Sequence, residues 1–152
     1  MQVVKEALRL YPPAPSTSRT LTTDVTLDEG IVLPAGTDVW VPIQSVQHGD
    51  INWDDPMVVR PERFDAGRGG EPGAWVPFSN GPRNCLGMRF ALLEATVLVA
   101  MAAQHLSFTL APTDGAGAGA EVEAPMLPCE MAGVLQRPAH GVVLCMAPVL
   151  SQ

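Results

Sequence analysis

The chain has 152 residues and a formal net charge of −7, with 9 Lys and Arg against 16 Asp and Glu. That balance has the wrong sign for attracting a phosphate backbone, and with no Lys/Arg-rich stretch it argues against nucleic acid as a partner. A hydrophobic content of 47% with 16% charged residues allows a globular core, while 14 Gly and 15 Pro favour short elements joined by many loops over an all-helical bundle.

The chain opens within a helical pattern. Val3, Ala7 and Leu10 recur at helical spacing, and Pro12 and Pro13 end the run because proline has no N–H to donate. The same stretch lacks the charged region, apolar segment and small-residue cleavage site of a secretory signal. From Arg19 to Ile43 the period changes to two. Asp24 to Leu27 alternate, Pro34 to Gly36 make a turn, and Thr37, Val39, Val41 and Ile43 alternate again, which predicts a β-hairpin or small meander. Asn52 to Gly73 is dense in Asp, Pro and Gly and predicts a long packed loop with at most one helical turn.

Helical spacing resumes after Cys85, where Leu86, Phe90, Leu93, Val97 and Met101 form one apolar stripe. The longest apolar run, Phe90 to Ala103, is broken by Glu94 and is too short to cross a bilayer. Ser107 to Leu110 alternates as a strand, and Asp114 to Ala120 is a Gly/Ala segment with nothing to pack. Val134-Leu135 and Gly141 to Met146, joined by a turn containing Pro138, read as a final hairpin. Cys85, Cys129 and Cys145 are odd in number and form no CxxC pair, so neither a zinc knuckle nor a closed disulfide framework follows, and a reducing compartment is the simpler assumption.

The chemistry concentrates in Phe78 to Gly87, FSNGPRNCLG, which puts a cysteine in a Gly-rich turn just before the strongest helix. A thiolate at a helix N-terminus faces unsatisfied N–H groups and the positive end of the dipole, which favour the anion. Gly81 and Gly87 would let the backbone turn tightly and approach a flat ligand. The competing reading of a lone cysteine is a buried structural one.

These residues resemble the FxxGxRxCxG haem-binding loop of the cytochrome P450 family at all five fixed positions: Phe78, Gly81, Arg83, Cys85 and Gly87. Phe90, Ala91 and Glu94 continue its usual pattern. Glu6 and Arg9 match the family's ExxR helix, and Pro61 to Phe64 match its PERF segment, in the same order. An i,i+3 Glu–Arg pair alone is also the spacing of an ordinary surface salt bridge. Alongside the cysteine loop, the resemblance implies a buried Glu6–Arg9–Arg63 triad tying helix to loop beneath the haem. It covers essentially the whole chain and implies an α+β fold, the C-terminal portion of the cytochrome P450 fold, with residues 1–152 as a partial, haem-proximal domain.

By the same resemblance, Cys85 would hold the iron of haem b (iron protoporphyrin IX) through its thiolate, whose electron donation favours O–O cleavage. Arg83 would pair with a haem propionate. Arg19 matches a second propionate-binding position, the alternative being a solvated strand-edge charge. His48-Gly49-Asp50 departs from the family's common His-Arg-Asp, and His105 and His140 belong to no motif.

The implied activity is insertion of one atom of dioxygen into a small, apolar organic substrate, with electrons from NADPH through a reductase or from a ferredoxin. Ala14 to Thr17 and Gly133 to Leu135 would meet the substrate. The acidic-Thr helix that activates dioxygen and the Trp/Arg helix on the other propionate are not found in the sequence. Both lie upstream in complete members, so the chain alone is expected to be inactive, and a membrane anchor of a full-length parent would lie ahead of Met1. Two other readings stay open: a haem-thiolate isomerase or dehydratase, whose cysteine loop is usually altered, and a truncated product without catalysis.

Overall fold

The computed structural model describes residues 1–28, 30–67, 69–110, 129–132, 134–139 and 144–149. Helix α1 (Gln2–Leu10) is two-sided, with Val4, Glu6, Arg9 and Leu10 buried and Val3 exposed. The Tyr11 N–H still reaches the Ala7 carbonyl at 2.8 Å, and the prolines that follow cannot extend the ladder.

The alternating stretch folds as two nested antiparallel ladders. β1 (Thr17–Thr20) pairs with β4 (Asp38–Val41), Thr17 opposite Val41, and encloses β2 (Val25–Thr26) paired with β3 (Val32–Leu33). The turn at Pro34 to Gly36 is present, with Gly36 at φ +86°. Ile43 corrects the period-two reading. Pro42 has no N–H for the ladder, and Ile43 opens a helix that the alternation did not predict, α2 (Ile43–His48), with Ile43 and Gln47 buried.

The loop from Asn52 to Gly73 holds more helix than expected: Pro61–Gly67 winds about two turns of 3-10 helix, and Pro61 has the fixed φ that suits a first helical position. The turn sends Phe64 inward to join Trp53 and Ala74 in a buried cluster, with Trp75 packed against it. The Trp53 and Phe64 rings are 5.7 Å apart, Phe64 and Trp75 6.0 Å, and Trp75 and Phe78 6.1 Å, so a row of aromatics runs from the loop toward the cysteine segment. Gly70 sits at φ +78°, and a Cβ there would lie 2.8 Å from the Ala74 methyl, so the cluster closes only with glycine at that position.

Helix α3 (Met88–His105) follows the cysteine loop, and none of its residues is buried. Four members of the apolar stripe lie on it, and Phe90 (70%) and Leu93 (61%) are its most exposed. Leu86 falls outside the helix and is fully exposed.

The C-terminal strands correct the expected final hairpin. β5 (Leu106–Leu110) pairs with β8 (Leu144–Pro148), and β6 (Cys129–Ala132) pairs with β7 (Leu135–Pro138). Leu135 therefore pairs backward onto Ala132 rather than forward onto residues near 144. Pro138 ends β7 instead of making the turn, a place where an edge strand tolerates a missing N–H. The Gly/Ala segment, Gly133, His140 and residues 141–143 lie outside the described residues.

Candidate cofactor site at the cysteine loop

The i,i+3 spacing of Glu6 and Arg9 places both on the buried face of α1, at 1% and 0% exposure, so the pair is no surface salt bridge. Arg9 grips the carboxylate with two bonds, Nε to Oε2 at 2.8 Å and Nη2 to Oε1 at 3.0 Å. Arg63 comes within 3.5 Å of the same Oε1, and the Arg60 N–H donates to it at 2.8 Å. The other N–H groups of Arg63 reach the carbonyls of Asp54, Asp55 and Val58. Three sequence-predicted residues, from a helix and a distant loop, thus meet at one carboxylate.

Burial alone would push the Glu6 carboxyl up. The Arg9 hydrogen bonds, the Arg60 N–H and the charges of Arg9 and Arg63 outweigh it and hold the carboxyl below the ordinary value. Burial and the nearby Arg9 charge lower the Arg63 guanidinium, against the opposing pull of Glu6.

The cysteine loop is shaped by its own backbone. Ser79 (φ +63°) and Gly81 (φ +79°) both sit in the left-handed region. Nothing lies within 4 Å of where a Gly81 Cβ would be, so conformation and not crowding calls for glycine there. The Asn80 side chain accepts from the Gly81 N–H at 2.7 Å, and Gly81–Arg83 forms a single 3-10 turn. The Cys85 N–H donates to the Phe78 carbonyl at 2.9 Å and closes the loop.

Cys85 is exposed rather than buried. It lies three residues before α3, whose N-cap is Gly87, so the sulfur precedes the helix start rather than sitting in its first turn. A Cβ on Gly87 would be 4.0 Å from Cys85 Sγ; the glycine keeps that side of the sulfur open.

A cavity of about 390 Å³ opens against this loop, and its lining includes Cys85, Arg83, Phe78, Arg19, Thr17 and Leu135. Both stretches expected to meet substrate reach it, Ala14 to Thr17 through Ala14, Ser16 and Thr17, and Gly133 to Leu135 through Leu135. A 2.7 Å bond from the Gln136 N–H to the Pro13 carbonyl fastens one stretch to the other. Arg19 crosses from β1 to the loop, donating to the Arg83 carbonyl at 3.3 Å and to its own strand at the Ser18 carbonyl. His48 faces elsewhere, its ring meeting the Leu10 carbonyl at 2.9 Å, and His105 is exposed. Sequence reasoning missed Gln47, fully buried beside Arg9; its helix is too short to give a periodic signal.

An accessible sulfur with free space beside it, two guanidinium groups around one cavity and the apolar ring of Phe78 suit a flat, anionic, iron-bearing macrocycle. The cytochrome P450 family model matches residues 1–118, and the chain belongs to that family. It is 39% identical over 149 residues to mouse cytochrome P450 4X1, covering 97% of this chain and 27% of the relative. With human cytochrome P450 4F12 it is 46% identical over 107 residues, covering 69% and 20%.

Among solved structures, retinoic acid bound cyanobacterial CYP120A1 superposes with a TM-score of 0.79 at 28% identity, over 97% of this chain and 32% of that one. The cytochrome P450DA heme domain gives a TM-score of 0.80 over 98% and 30%, at 22% identity, a likeness of fold alone. The chain spans between 20% and 27% of the length of these curated relatives. Haem is the cofactor of the family. No helix among the described residues is long and apolar enough to cross a membrane.

Proposed function

We propose that Cys85 supplies the thiolate that holds the iron of haem b, and that the protein is a monooxygenase oxidising a small, apolar organic substrate. The observation that carries this reading is the exposed Cys85 on a cavity that Arg83 and Arg19 also line. Bound haem supplies the activation of dioxygen, and thiolate donation favours O–O cleavage. The chain's own residues bind and orient. Arg83 offers a propionate a planar, bidentate partner, and Arg19 offers a second cation on the same cavity. Phe78 gives the macrocycle an apolar contact, while Gly81 and Gly87 keep backbone and side chains clear of it. Glu6, Arg9 and Arg63 act in folding, fixing α1 to the loop that precedes the cysteine segment.

Pro13, Ala14 and Leu135 give the substrate side an apolar lining, in keeping with the mainly apolar retinoic acid bound by the cyanobacterial relative. Electrons come from NADPH through a reductase, or from a ferredoxin. Residues 1–152 form the haem-proximal part of the domain, and this part alone does not turn over; the open apolar face of α3 supports that reading. The test is turnover of the intact protein with NADPH, a reductase, isotopically heavy dioxygen and a panel of apolar substrates. One heavy oxygen atom per product, with NADPH consumed, is the expected result. Product from an organic hydroperoxide with neither NADPH nor reductase, and none from dioxygen, would show an isomerase or dehydratase instead.

A further inference from the structure

We infer that Gln47 is a positioning residue that sets where the Cys85 loop sits on the buried Glu6–Arg9 pair, an inference that rests on the haem-thiolate reading of Cys85. Gln47 is 0% exposed, and its side chain uses both ends. Its Nε2 donates to the carbonyls of Leu8 and Arg9, each at 3.0 Å, at the end of α1. Its main-chain carbonyl accepts from Arg9 Nη1 at 2.9 Å. Its Oε1 accepts the Val76 N–H at 2.9 Å.

From Val76 the bonds continue to the sulfur-bearing residue. The Val76 carbonyl accepts the Ser79 N–H at 2.9 Å, and the Phe78 carbonyl accepts the Cys85 N–H at 2.9 Å. A short relay therefore runs from the ion pair through one amide side chain to the turn that presents the thiol. Two other side chains hold the same segment. The Trp75 indole donates to the Lys5 carbonyl at 3.1 Å, and Arg19 reaches the Arg83 carbonyl at 3.3 Å. Trp75 is half-buried and Arg19 exposed, so Gln47 is the one fully buried fastening of the three.

The residue type fits the task. A carboxamide carries donors and an acceptor on one planar group, so it can satisfy helix carbonyls and a loop N–H together. Methionine of similar length supplies neither, and glutamate supplies only the acceptor. A buried bond of this kind fixes geometry strongly, because water cannot replace a lost partner. The predicted consequence is a changed approach of the Cys85 sulfur to the iron when the Val76 bond is lost.

The test compares wild type, Gln47→Met and Gln47→Glu in the intact, haem-loaded protein by ferric absorption spectrum and by urea unfolding. Gln47→Met should broaden and shift the haem band in the folded protein, and Gln47→Glu, which keeps an acceptor for Val76, should return it toward wild type. A Gln47→Met protein with a lower unfolding midpoint and an unchanged spectrum would show a merely structural role and overturn the inference. Should the variants fail to fold, amide hydrogen exchange on wild type decides. Val76 and Cys85 amides protected together, by about tenfold or more over an open loop, support the relay, and a Val76 amide exchanging freely refutes it. A wild type with no thiolate-type spectrum would sink the reading of Cys85 instead, and the exchange data would still report on Gln47.

Discussion

Glu6 holds a negative charge in the interior because Arg9 meets both its oxygens and the Arg60 N–H and the Arg63 guanidinium crowd one of them. Removing that carboxylate leaves two guanidinium groups inside without their counter-charge, so Glu6→Ala should cost about 3–5 kcal/mol, read from urea unfolding. The pH dependence has a definite sign. The folded carboxyl lies below its ordinary value of 4.5, so its contribution is fully present above that value and is lost as pH falls through the folded one. Wild-type stability should therefore fall on acidification, and Glu6→Gln should lack that part of the fall. At Gly81 the cost is conformational: Gly81→Ala must hold φ near +79° in open space, a loss of about 1–2 kcal/mol in unfolding free energy without a clash. Glu6, Arg9, Arg63 and Cys85 were legible as residues because each belongs to a short fixed pattern. Gln47 belongs to none, and its partners lie in segments that only the folded chain brings near.

Among the elements, α1 and α3 were legible because apolar residues repeat at helical spacing over two turns or more. Helix α2 was hidden because Thr37, Val39 and Val41 set up an alternation that Ile43 continued, although Pro42 had already ended the ladder. Strand pairing was the least legible level. The alternation of Ser107 to Leu110 marks a strand but not its partner, and β5 finds β8 some 34 residues beyond it, which no local turn signal encodes. The junction of loop and α3 carries its own prediction. A methyl on Gly87 would sit at ordinary contact distance from Cys85 Sγ, whereas a branched side chain would crowd the open side of the sulfur. Gly87→Val should keep the helical content of wild type by circular dichroism and weaken haem binding about tenfold, about 1.4 kcal/mol, in a haem titration.

At the scale of the molecule, the buried cluster of Trp53, Phe64 and Ala74 and the ionic pair beneath it form the core, while α3 presents Phe90, Leu93, Val97 and Met101 to water. An apolar face of that kind promotes association, so residues 1–152 alone should self-associate in sedimentation, and Leu93→Lys with Val97→Glu should reduce it. Family and cofactor were legible because their motif is ten contiguous residues. Substrate was not, because the two stretches expected to meet it, Ala14 to Thr17 and Gly133 to Leu135, are too short to specify one. The central claim is that the thiolate of Cys85 holds the haem iron. It is tested most directly by the carbon monoxide difference spectrum of the reduced, intact protein for wild type, Cys85→Ser, Cys129→Ser and Cys145→Ser. The thiolate-type band should be present in wild type and in both the Cys129 and Cys145 variants and absent from Cys85→Ser. A Cys85→Ser protein that keeps that band would contradict the assignment.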